Sequence, residues 1–187
     1  ENVLLNSEIV EESLGTFPEL LSETRTEDLL LPISNWPNAH TTTHATEGLL
    51  TLGDLASVLE DHGRSVCDKA QAEVFGLFTT SNRCRTDESI TSLAGIALDC
   101  DGTGSWDLLK GVLDRLGVGY ILYQSPRYSP AIPKWRCVLV LDKPFETTAK
   151  DAKAQWTTLY RGVSRIVGTV AGLRGSGFDS STVNVSR

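Results

Sequence analysis

The run Leu93-Ala-Gly-Ile-Ala-Leu-Asp-Cys-Asp101 constrains this chain more than any other feature: an apolar stretch ending in two carboxylates one residue apart. Its aliphatic content reads as a buried strand over 93–101. Adjacent side chains on a strand point to opposite faces, and those two apart share one. Ile96, Leu98 and Cys100 therefore fall on one face, expected to be the core, while Gly95, Ala97, Asp99 and Asp101 fall on the other. The small residues are expected to leave room for a substrate beside the carboxylates. Two carboxylates this close repel unless a cation or basic group sits between them, and oxygen ligands of this kind suit Mg²⁺ or Mn²⁺.

The flanking pattern places that strand in a sheet. Leu109, Val112, Leu113 and Leu116 recur at helical spacing and predict a helix over 106–116 that Gly117 ends. The β-branched and aromatic runs 118–125 and 136–142 read as two strands joined by a loop carrying Pro126, Pro130 and Pro133. Trp156, Leu159, Tyr160, Val163, Ile166, Val167 and Val170 form one apolar stripe of a long helix. Upstream, Thr51 with Asp54 three residues on resembles a capping start for a helix over 52–62, stopped at His62-Gly63. The order β-α-β-β-α suggests an α+β sheet of the ferredoxin or RNA-recognition type. Residues 1–35, acidic and Leu-rich with no sustained period, are expected to form an arm leading into a single domain over 36–187.

Charge is distributed unevenly. The net charge is −7, yet residues 1–133 hold 8 Lys/Arg against 20 Asp/Glu, whereas residues 134–187 hold 9 against 4. The whole surface is therefore a poor polyanion binder, and a nucleic acid or nucleoside triphosphate would favour the C-terminal third. No apolar stretch nears the roughly 20 residues that span a bilayer, and no basic-then-apolar leader opens the chain, so a cytoplasmic location without membrane contact is expected. Cys67, Cys84, Cys100 and Cys137 are too widely spaced for a zinc knuckle or redox dithiol and are expected to be reduced. His40 and His44 would share a face only on a helix, and their Thr-rich setting favours a loop. The chain has no methionine, which suggests a piece of a longer protein.

Three further readings of the carboxylate pair compete. Asp-Cys-Asp-Gly-Thr-Gly resembles the start of a calcium-binding EF-hand loop, but Lys110 stands where that loop needs a bidentate Glu. Ile-Ala-Leu-Asp-Cys-Asp-Gly-Thr also looks like the nucleophile motif of haloacid-dehalogenase phosphatases, although half the chain precedes it and no downstream acidic pair completes that site. A strand-end pair leading to a helix capped near Ser105 would be purely structural.

Two stretches, Gly95–Phe145 and Phe178–Arg187, resemble the archaeo-eukaryotic primase superfamily, particularly the primase-polymerases of plasmids, phages and mobile elements. The strand-end Asp99-x-Asp101 matches its first motif. Tyr123-Gln-Ser-Pro-Arg-Tyr128, then Pro133-Lys-Trp-Arg136, matches its second, a Ser-x-His loop followed by a basic-aromatic-Arg segment. Asp179 with the distal Arg187 matches its third. In this chain Tyr128 fills the slot that the family usually gives to histidine, with Arg127 beside it; tyrosine hydrogen-bonds phosphate but carries no positive charge.

The resemblance implies an RNA-recognition-like primase-polymerase core with an N-terminal α/β extension. It implies nucleotidyl transfer in DNA replication, with Mg²⁺ or Mn²⁺ held by Asp99, Asp101 and Asp179, and Asp142 as a weaker third ligand because Lys143-Pro144 directly after it reads as a turn. Ser125, Arg127, Tyr128, Lys134, Arg136 and Arg187 become candidates for nucleotide binding, and Tyr123, Tyr128 and Trp135 for base stacking, although Trp135 alternates with Lys134 and Arg136 and is expected to face the core. Lys69, Arg83 and Arg85 could touch template, although ordinary surface solvation accounts for them as well. Nucleoside triphosphates, a single-stranded DNA template and a helicase domain or subunit are the implied partners. The Tyr128 substitution keeps a catalytically degenerate nucleic-acid-binding module in view.

Overall fold

In a computed structural model, residues 29–65, 73–101, 105–124, 129, 134–148, 150–170 and 172 are described. Seven strands and three helices follow one another along them: β1 (Leu31–Trp36), β2 (Thr46–Leu50), α1 (Leu52–Ser65), β3 (Val74–Gly76), β4 (Phe78–Thr80), β5 (Ile90–Asp101), α2 (Trp106–Leu116), β6 (Tyr120–Gln124), β7 (Lys134–Glu146) and α3 (Ala152–Val170). The protein is mixed α+β, with antiparallel pairing in both its sheets. One sheet has the order β2-β1-β3 and the other β4-β5-β7-β6. Since β7 runs antiparallel to both β5 and β6, those two strands are parallel to each other. The unit β5-α2-β6 is thus a split β-α-β with β7 inserted at its centre.

The helix bounds follow from local chemistry. Thr51 Oγ1 donates to Asp54 Oδ2 (2.7 Å) and accepts from the Asp54 amide (3.1 Å), which fixes the start of α1 reciprocally. Ser105 caps α2 through its Oγ, which accepts from the Leu108 amide at 3.2 Å. Gly117 closes α2 at φ 64°, a left-handed conformation that costs glycine no steric penalty.

Alternation along β5 and β7 sorts the core into two layers. Ile96, Leu98 and Cys100 of β5, with Trp135, Cys137 and Leu139 of β7, pack under α2 and α3 against Leu109, Leu113, Trp156, Tyr160 and Val167. Trp135, 2% exposed, meets Trp106 edge to face at 6.2 Å between ring centroids. It therefore belongs to the core and not to a base-stacking surface. On the opposite face, Ile121, Val138 and Val140 are covered by Leu31, Ile33 and Leu55 from β1 and α1.

The structure revises four expectations. The helix expected to stop at His62-Gly63 runs on to Ser65. Residues 31–35, expected in the arm, lie in β1, so that boundary falls inside a strand; residues 1–28 lie outside the described residues. Lys143-Pro144, which reads as a turn, lies inside β7. Leu93 faces Phe145 whereas Gly95 faces Val140, so the segment 141–144 bulges opposite Ala94 alone. A proline is tolerated there because a bulge does not require its missing N–H. Finally, Gly95 does not leave space: a Cβ built on it would lie 2.5 Å from Leu77 Cδ1 and 2.9 Å from the Leu139 carbonyl oxygen. Leu77 fills the ground expected for substrate at that position, while Ala97 on the same face is exposed.

Candidate functional site

The register of β5, β7 and β6 builds a polar row across three strands. Asp99 stands opposite Arg136, which stands opposite Tyr123. Directly paired residues on one face of an antiparallel sheet have Cβ atoms about 4.5–5.5 Å apart, within reach of a side-chain bond. Arg136 Nη2 donates to Asp99 Oδ2 at 3.1 Å. The pair is partly sheltered, with side-chain exposures of 34% for Arg136 and 25% for Asp99. Burial disfavours the charged guanidinium, but hydrogen bonds to Asp99 and Tyr123 and the nearby negative charge outweigh it, so the Arg136 pKa is raised. Tyr123 is half-buried and packs its ring against the cluster beneath β1 and α1. Two residues further along the strands, Asp101 faces Lys134 in register.

The row lies where the covering layer ends. Toward the centre of the sheet, Val138 and Ile121 are buried and Leu77 lies over Gly95. On the β5 side the exposed Ala97 and the partly exposed Asp99 are left open. The arrangement offers a carboxylate, a guanidinium and a phenol side by side on an accessible strip, a set that can hold a cation at one end and an anion at the other.

The expected site residues divide by location. Asp99 and Arg136 are brought into contact, and Asp101 and Lys134 pair two residues further along β5 and β7. Asp142 falls in the bulged part of β7 and is partly buried. Ser125, Arg127, Tyr128, Asp179 and Arg187 lie outside the described residues, as does Lys69. Among the described residues, no group of three or more His, Cys, Asp or Glu could hold a metal ion.

His40 and His44 stand in the loop between β1 and β2, both exposed, with His44 at φ 60°. Arg83 is exposed at the turn after β4. Arg85 has a structural role: its guanidinium donates to the Ala39 carbonyl at 2.7 Å and lies 5.8 Å from the centroid of the Trp36 ring. Cys100 and Cys137 are buried thiols, and Cys84 is a partly exposed one.

Sequence reasoning missed that Arg136 bonds to Asp99, having aimed it at a phosphate. It also missed Tyr123 as Arg136's other neighbour. The signal was the strict alternation of β6 and β7, which becomes a cross-strand prediction only once the register is known.

No helix among the described residues is long and apolar enough to cross a membrane. Comparison with protein-family models, curated proteins and solved structures found no match.

Proposed function

We propose that the protein is a metal-dependent nucleotidyltransferase of primase-polymerase type, acting on nucleoside triphosphates and a single-stranded DNA template. One observation carries the reading: Asp99, Arg136 and Tyr123 form a continuous acidic, basic and phenolic row at the open end of one sheet face, with Asp101 and Lys134 at the adjoining positions. The split β-α-β that presents the row supports an RNA-recognition-like core.

The donor chemistry fits a hard divalent cation. Asp99 gives one oxygen to Arg136 and is a quarter exposed, and Asp101 stands two residues along the same strand. Asp99 and Asp101, with Asp179, would hold Mg²⁺ or Mn²⁺, which when bound aligns a primer hydroxyl with the α-phosphate and neutralises charge as pyrophosphate leaves. Arg136 and Lys134 bind and orient the triphosphate, with Arg127, Ser125, Tyr128 and Arg187 as further contacts. Tyr123 fixes the guanidinium from the β6 side.

The test is template-directed incorporation of labelled nucleotides with Mg²⁺ or Mn²⁺, comparing the parent chain with an Asp99→Ala/Asp101→Ala double variant. Loss of at least about a hundredfold in the variant is expected, in line with removing principal transition-state electrostatics. No product from a folded parent chain that binds nucleotide would sink the polymerase reading.

A binding module without catalysis is the second reading, favoured by the Arg136 hydrogen bond that occupies one oxygen of Asp99. It predicts nucleotide or DNA binding with no incorporation. A phosphatase would instead release phosphate from a generic ester through a covalent aspartyl intermediate at Asp99.

A further inference from the structure

The Asp99–Arg136 pair raises a question that the proposed chemistry alone does not answer. Both groups are assigned to one substrate complex, Asp99 to its cation and Arg136 to its phosphates, yet they are bonded to each other at 3.1 Å. A guanidinium whose Nη2 is engaged by a carboxylate meets an incoming phosphate at a disadvantage, because the phosphate must displace a resident anion and approach a like charge. A free cation approaching Asp99 likewise meets a positive neighbour. Each ligand alone is therefore disfavoured by the pair, whereas a cation and a polyphosphate arriving together exchange one ion pair for two.

We propose that the Asp99–Arg136 pair is a built-in counter-ion lock that makes the site selective for cation-complexed triphosphate over the free anion or the free cation. The inference rests on the nucleotide reading of this site. Three features of the fold support it. Asp99 and Arg136 are direct register partners at the centre of the split β-α-β, so no loop movement is needed to form or open the pair. Both side chains keep partial exposure, 25% and 34%, so ligands can reach them. Tyr123 stands on the other side of Arg136, ready to hold the guanidinium when the carboxylate lets go. An ion pair with only a packing role needs none of this access.

The experiment is calorimetric titration of the 187-residue chain with a nonhydrolysable deoxynucleoside triphosphate analogue, in chelator and in Mg²⁺, for the parent, Asp99→Asn, Asp99→Ser and Asp99→Asn/Arg136→Gln. Circular dichroism checks that each variant is folded. In chelator the parent is expected to bind weakly. Asp99→Asn and Asp99→Ser should bind about tenfold more tightly, since each removes both the competitor and the like charge facing the phosphates. The double variant should lose that gain, and Mg²⁺ should tighten the parent while leaving the Asp99 variants nearly unchanged. If the parent binds the analogue in Mg²⁺ but neither single variant gains affinity in chelator, the lock is overturned and the nucleotide reading stands. If no form binds under either condition, both fall.

Discussion

The two faces of the four-stranded sheet are built from alternate residues of the same strands, yet they obey different rules. On the helix side, Trp135, Cys137 and Leu139 follow one another with no charged residue among them and interlock with α2 and α3. On the other side, Arg136, Val138 and Val140 grade from charged to covered along one strand. Along β5 and β7 the first face is uniformly apolar because it packs under two helices; the second is graded because the layer of β1 and α1 covers only one end. A sheet whose central strands are buried on one side and only partly covered on the other can thus combine stability and an accessible polar strip without a deep cavity.

Four substitutions or conditions probe this contrast. Trp135→Ala should cost the most, about 3–5 kcal/mol in chemical denaturation, because it empties a large fully enclosed site. A loss below about 1 kcal/mol would mean that the helix side is less tightly packed than described. Gly95→Ala should cost about 1–3 kcal/mol by driving a methyl group into Leu77, and Leu77→Ala in the same chain should recover part of that loss. Additive effects in that cycle would place Leu77 elsewhere.

The third probe is pH. Burial pushes the Cys137 thiol from its ordinary value near 9 up to about 12. The unfolded thiol deprotonates first, so stability is fully present below about pH 9 and falls as pH rises toward about 12. The loss attributable to this group is at most about 1.4 kcal/mol per pH unit. Cys137→Ala should flatten that slope. The smallest effect belongs to the charged strip: Arg136→Gln should change stability by about 1 kcal/mol or less, since the pair is partly exposed and solvent screens it. A large loss there would make the ion pair a structural element and erase the distinction between the two faces.

Much of this was legible in the sequence, for reasons that differ by element. The helix over 106–116 was fixed by a cap, a stripe and a terminating glycine, all local signals, and its observed bounds agree. The direction of Ile96, Leu98 and Cys100 toward the core followed from period-two alternation alone. The sequence was less informative about pairing. Nothing local to Leu77 announces that it lies over Gly95, and nothing local to Lys143-Pro144 announces a strand that bulges past Ala94. Both depend on which strands become neighbours, a long-range outcome of packing. The strand β1 inside the acidic lead-in was hidden because Leu31, Ile33 and Trp36 keep no strict alternation and are buried by partners distant in sequence. The candidate site was legible as residue types and as a shared face for Asp99, whereas its bond to Arg136 required the register.

Leu77 has a mechanical consequence. It is the one residue between β3, which belongs to the three-stranded sheet, and β4, which belongs to the four-stranded one. Its carbonyl accepts from the Ala94 amide at 2.7 Å, and its side chain bears on Gly95. The two sheets are therefore joined by a rivet with almost no slack, whose head rests on the same strand that carries Asp99 at its far end. A tug on the smaller sheet is delivered to β5 within a single residue, so the strand presenting the carboxylate cannot shift without carrying its neighbour along.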